Sequence, residues 1–128
     1  MPIHPPVPDL DAFETLVAEA LETLPDEIIA MMDNIAVTVA EHPTPEQRRA
    51  ARLGQRQALY GLYQGVPLTR RSTHYGLVPP DRITIFMAPM VYHHRTPEAI
   101  REQVRRTVLH EIGHHFGMGE DQLRRLGY

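Results

Sequence analysis

The stretch from Thr96 to Gly117 constrains what this chain can fold into more than any other. Thr96-Pro97-Glu98 reads as a helix start, with threonine as the cap and proline at the first helical position. Ile100, Val104, Val108, Ile112 and Phe116 then recur at i+4 steps and predict a buried stripe along one long helix. Arg101, Arg105 and Arg106 fall on its other faces. Gly117 marks the end, because glycine enters the left-handed conformation that closes helices at little steric cost. Such a stripe needs a partner surface, which the other segments must supply.

The same helix carries His110-Glu111-Ile112-Gly113-His114. Two imidazoles four residues apart stand one turn apart on one face, and both reach a single Zn²⁺ at about 2.0–2.1 Å. Glu111 leans over the open side of the metal and is no ligand. It is placed to take a proton from a water held there. The stripe runs through the motif, so Ile112 and Phe116 anchor it to the core while His110 and His114 project from another side. The chemistry this spacing supports is zinc-dependent hydrolysis, with a peptide as the leading substrate.

Two histidines leave such a centre one ligand short. In the pattern His-Glu-x-x-His-x-x-Gly-x-x-ligand the third donor lies ten residues after the first histidine, which is Glu120. Asp121 is the alternative, one residue later. If Glu120 binds, Asp121 is left to cap the final helical turn or to orient a histidine. Zn²⁺ is the expected metal, and a His/His/carboxylate set also accepts Mn²⁺, Ni²⁺ or Fe²⁺. Tyr75, Tyr92, His93 and Tyr128 are unranked candidates to stabilise the oxyanion. His115 points about 100° away from His114 on a helix and reads as a packed or orienting histidine. His93-His94 reads as a loop pair, and His4, His42 and His74 as surface residues.

Upstream, Asp9 to Leu24 predicts an amphipathic helix on Phe13, Leu16, Val17, Ala20, Leu21 and Leu24. Pro25 opens a short second helix through Met32. Ile35 to Ala40 alternates and is β-branched, hence a strand. Thr44-Pro45-Glu46-Gln47 carries the capping-box signature, followed by a polar helix whose Arg48, Arg49, Arg52 and Arg56 read as a solvated face. Leu59 to Gly65 favours a strand, Val66 to Pro80 a loop, and Arg82 to Met87 a further strand ended by Pro89. Prolines around that last strand point to a sheet edge or to a strand with one solvent-facing side. Gln122 to Leu126 predicts a final helical turn. Met31, Met32, Met87 and Met90 read as core filling.

At 128 residues the chain is sized for one domain, expected over 9–128 behind a flexible proline-rich arm at 1–8. Its net charge of −3 argues against a nucleic-acid partner, which would call for a basic face. All thirteen basic residues are arginine. With no cysteine, a metal must be held by histidine and carboxylate. No apolar run approaches a membrane span and no signal peptide is visible, so a cytoplasmic location without membrane partners is the expectation. The oligomeric state is not legible.

Several segments resemble the minimal zincin-like metallopeptidase family of small bacterial proteins. They are Leu24-Pro25 with Asp33-Asn34-Ile35-Ala36-Val37, Leu62 to Thr69, Pro80-Asp81-Arg82-Ile83-Thr84, and His110 to Gly117. The resemblance implies a compact α+β zincin-like fold, in which a small mixed sheet packs on the long C-terminal ligand helix with the cleft between them. It also implies an acidic third ligand after the glycine turn, commonly aspartate, so Glu120 is a departure in side-chain length. A peptide or protein substrate would add along an edge strand, for which Arg82 to Phe86 is the candidate. The eight residues after Glu120 hold no methionine turn and no later helix to carry a ligand, so the chain is expected to stand apart from the larger peptidase groups.

Two competing readings stand beside the hydrolase. One is a catalytically weak or inactive zincin-fold module that holds metal and serves interaction; Glu111 argues against it, since a structural site has no use for a general base. The other is a metal-dependent ribonuclease, which the acidic charge disfavours.

Overall fold

Asp9 accepts a hydrogen bond from the Ala12 N–H at 2.8 Å and so caps helix α1 (Leu10–Glu22) in a computed structural model that describes residues 8–52, 58–65 and 80–127. Phe13, Val17 and Ala20 are buried along α1, and Leu16 and Leu21 pack beside them. A short α2 (Asp26–Met31) buries Ile28 and leads into strand β1 (Ile35–Ala40). The expected capping box opens α3 (Pro45–Ala50), with reciprocal bonds of 2.9 and 3.0 Å between Thr44 and Gln47. No residue of α3 is buried, in keeping with its polar sequence. The expectations for residues 1–7, for Arg56, for the loop at 66–79 and for Tyr128 concern positions outside the described residues.

Strands β2 (Gly61–Gln64) and β3 (Asp81–Phe86) complete a three-stranded mixed sheet ordered β1-β3-β2. β1 runs parallel to β3 with Val37 opposite Ile83, and β2 runs antiparallel to it with Leu62 opposite Thr84. This corrects the expected edge position of Arg82 to Phe86: β3 is the central strand, hydrogen-bonded on both sides. Pro80 and Pro89 lie outside the ladder, so they had no bond to remove from it. Ile83, Thr84, Ile85 and Phe86 are all buried, as a strand covered on both sides requires. Among the described strands, β2 and β1 are the edges.

β3 runs straight into a helix that sequence periodicity missed, α4 (Met87–His93). Pro89 falls in its first turn, where the missing N–H has no helical partner to lose. Met87 and Met90 face the core as expected, while His93 belongs to this helix rather than to a loop.

Helix α5 (Pro97–His115) is capped by Thr96, which accepts from the Ala99 N–H at 3.1 Å. It packs against α1 and against the sheet, closing a core that joins Phe13, Val17 and Ile28 to Ile83, Ile85, Val104, Val108 and Ile112. The expected stripe is corrected at its end: Phe116 is 46% exposed. A strict i+4 row winds around a helix by about 40° per step, so after four steps the last position has turned away from the core. Thr107, Leu109 and Gly113, off the row, are buried instead.

A last helix, α6 (Glu120–Arg125), returns against α5. Gly113 makes that approach possible, because a Cβ there would fall 2.8 Å from both Leu123 methyl groups. Gly61 plays the same part for the sheet: a Cβ would stand 2.6 Å from Thr107 Cγ2, so glycine lets β2 lie directly on α5.

Candidate metal centre

His110 and His114 occupy the last two turns of α5, their ring centroids 4.1 Å apart with planes at 45°. The i, i+4 spacing alone puts them side by side. Burial pushes the His110 imidazole below its usual range, and the neighbouring His114 adds to the effect. A depressed pKa keeps the ring neutral, which is the form a metal binds.

Glu111 sits against the edge strand rather than in open water. Burial raises its pKa above the usual carboxylate range, while a hydrogen bond donated by the Tyr63 backbone N–H and the nearby His114 pull it partly back. A carboxyl group with a raised pKa, held by a hydrogen bond, is suited to accepting a proton.

The chain turns immediately after the motif. Gly117 has φ +70°, Met118 N–H donates to Gly113 C=O at 2.8 Å and Gly117 N–H to His114 C=O at 3.3 Å. These are the two bonds of a Schellman closure, and they require the glycine. Glu120 and Asp121 then enter the first turn of α6, where Gly119 rather than Asp121 holds the capping position. Both carboxylates engage Arg124, at 3.3 and 3.6 Å, and their side chains are 84% and 95% exposed. The histidine pair and Glu111 are thus brought together, and the two acids open the helix that follows the turn. Among the described residues, no group of three or more histidines and carboxylates is gathered as a metal cage.

His115 packs on the sheet, as its position on the helix predicted. It lies flat on Tyr63 with centroids 3.9 Å apart, and the Tyr63 hydroxyl donates to Asp81 at 2.6 Å. His115 Nε2 is 3.9 Å from the same carboxylate. The last turn of α5 is therefore tied to both β2 and β3.

A cleft of about 390 Å³ opens beside His110 and Glu111. Tyr60, Gly61, Gln103, Arg106 and Thr107 line it. The Tyr60 hydroxyl is 2.8 Å from His93 Nδ1, and Gln103 links His94 to Thr107 through bonds of 3.1 Å each. Of the four residues considered for the oxyanion, Tyr92 is 73% exposed and His93 reaches the cleft only through Tyr60. Tyr75 and Tyr128 lie outside the described residues. Sequence reasoning missed Tyr60, whose place depends on β2 meeting α5. It also set Arg106 aside, although its spacing of four residues from His110 was a usable signal.

The donor set and its neutral, half-buried first histidine suit a zinc ion with nitrogen ligands. The α+β arrangement, with a mixed sheet lying on the motif helix, is the zincin-like fold. Residues 32–128 match the zincin-like metallopeptidase family model, and the chain belongs to that family. Membership carries zinc-dependent, peptidase-like chemistry as the general expectation. A search of the curated proteins finds no match. No helix among the described residues is long and apolar enough to cross a membrane.

Proposed function

We propose that this protein is a zinc-dependent peptidase in which His110, His114 and Glu120 hold the metal and Glu111 is the general base. The observation that carries the reading is Glu111 itself: half-buried beside two histidines, with a backbone N–H of the edge strand fixing its direction. Zinc, when bound, supplies a Lewis acid for the scissile carbonyl and acidifies a water. Glu111 accepts the proton of the attacking water and passes it to the leaving amine, with Tyr63 N–H holding its carboxylate throughout. His110 and His114 serve as neutral nitrogen donors.

Glu120 is favoured over Asp121 by its spacing from His110. Its pairing with Arg124 is no obstacle, since an exposed ion pair contributes about 0–1 kcal/mol and a zinc–carboxylate bond far exceeds that. Substrate would enter as an extended strand beside β2. Tyr60 C=O accepts from Phe86 N–H at 2.9 Å, so alternation directs the backbone groups of Gly61 and the Tyr63 C=O away from β3, toward an incoming peptide, while the Tyr63 N–H stays with Glu111.

The test is zinc content and peptide turnover of the parent and of Glu111→Gln. A peptidase keeps about one zinc per chain in the variant and loses turnover. An interaction module, the alternative, keeps its ligand binding unchanged on the same substitution.

A further inference from the structure

We propose that His115 is a positioning residue for the general base: its ring holds Tyr63, and Tyr63 holds Glu111. The inference rests on the peptidase reading for the role of Glu111 and names a residue that serves that same site. Glu111 and His115 are four residues apart on α5, so they stand one turn apart on one face, about 6 Å along the axis. Tyr63 spans that turn. Its backbone N–H donates to the Glu111 carboxylate, and its ring lies flat on the His115 imidazole, centroids 3.9 Å apart and planes 15° from parallel.

The Tyr63 amide needs this support because the sheet does not supply it. Phe86 N–H donates to Tyr60 C=O, so alternation assigns the ladder bonds of β2 to Leu62 and Gln64 and turns the Tyr63 N–H away from β3. β2 is four residues long and, among the described strands, pairs only with β3. So short an edge opens readily, and each opening takes the N–H away from Glu111. The side chain replaces what the ladder omits. Tyr63 shares with Gly61 the face of β2 that lies on α5, as the period of two requires.

The ring is held at its far end as well. The Tyr63 hydroxyl donates to Asp81 Oδ2 at 2.6 Å, and His115 Nε2 lies 3.9 Å from the same oxygen. Asp81 is anchored at the start of the central strand, its N–H donating to Asn34 C=O at 3.2 Å. A single hydrogen bond at the hydroxyl leaves the ring free to tilt about that point. The flat face of His115 removes the tilt, and with it the play in the backbone that carries the N–H.

NMR of the Tyr63 N–H in the full-length protein, purified without chelator, tests the grip independently of turnover. Glu111→Gln gives the reference shift of a Tyr63 N–H that no longer meets a carboxylate. His115→Ala is expected to move the Tyr63 signal toward that reference and to speed its hydrogen exchange by roughly two- to tenfold, the range that an aromatic pair contributes. The amides of Val104 and Val108, in the buried core, should keep their parent rates, which a general loss of stability would not allow. His115→Phe retains a flat ring and should restore both readings. The His115 side chain is 40% exposed, so its removal leaves the core intact. In the zinc-loaded protein, kcat per bound zinc should fall by the same factor in His115→Ala at unchanged KM and recover in His115→Phe. If the parent cleaves no peptide, the peptidase reading fails, and shift and exchange alone decide whether His115 holds Glu111 through Tyr63. An unmoved Tyr63 signal, exchange that rises equally at Val104 and Val108, or a kcat per zinc equal to the parent's overturns the proposal.

Discussion

Tyr63 lies flat against His115, centroids 3.9 Å apart and planes within 15° of parallel, and its hydroxyl donates to Asp81 at 2.6 Å. One side chain on the edge strand thus holds the end of the motif helix and the start of the central strand. Tyr63→Phe keeps the stack and removes the hydrogen bond, leaving a largely buried carboxylate without it. A loss of about 1.5–3 kcal/mol is expected, the range for hydrogen bonds to charged groups. Urea unfolding measures it, and a midpoint unchanged from the parent would show that the bond contributes nothing.

Gly113 and Leu123 are matched in size. Gly113→Ala places a methyl group 2.8 Å from both Leu123 Cδ atoms, so α6 must shift. Overpacking costs about 1–3 kcal/mol, against about 1 kcal/mol gained from alanine in a helix interior. The fold should therefore survive, while zinc affinity falls because the moved helix carries Glu120. Competition with a chromogenic chelator reads the affinity; equal affinity in parent and variant would dissociate α6 from the metal.

Metal content separates the ligand candidates. His110→Ala and His114→Ala should bind little zinc, Glu120→Ala should bind it at least about tenfold more weakly, and Asp121→Ala should match the parent. Glu111→Gln should retain zinc and lose about 10²–10⁴-fold in turnover. Mass spectrometry of protein purified without chelator gives the first set of values, and zinc loss on Asp121→Ala in place of Glu120→Ala would exchange their roles.

The metal-free protein should show two opposing pH dependences. Burial and His114 depress His110 below the ordinary 6.5, so the unfolded chain takes up that proton first. Stability therefore falls as pH drops through 6.5, until the folded His110 is also protonated. Burial raises Glu111 above the ordinary 4.5, so the folded chain holds that proton longer. Its contribution falls as pH rises from 4.5 through the folded pKa. Glu111→Gln should then leave a steeper loss toward acid between pH 6.5 and 4.5 than the parent shows. Denaturation midpoints measured across that range in chelator test the sign.

Helix α5 was legible because its signals are local: a threonine cap, a proline in the first turn, a stripe and a closing glycine. The same holds for α1, for the capping box of α3 and for strands β1 and β3. Periodicity misled where it was carried too far, at Phe116, and where a proline was read as a stop, at Pro89. The position of β3 inside the sheet was not legible, since edge and centre differ by which strands arrive from elsewhere.

The sequence by itself determined the pairing of His110 with His114 and the placing of Glu111 between them, because helical geometry acts over four residues without help. Only the tertiary structure decided what surrounds them. Gly61 lets β2 lie on α5, so that Tyr63 N–H reaches Glu111, Tyr60 and Arg106 share a cleft with His110, and Leu123 seats α6 on Gly113. These contacts join residues far apart in the chain, and packing selects them rather than any local preference.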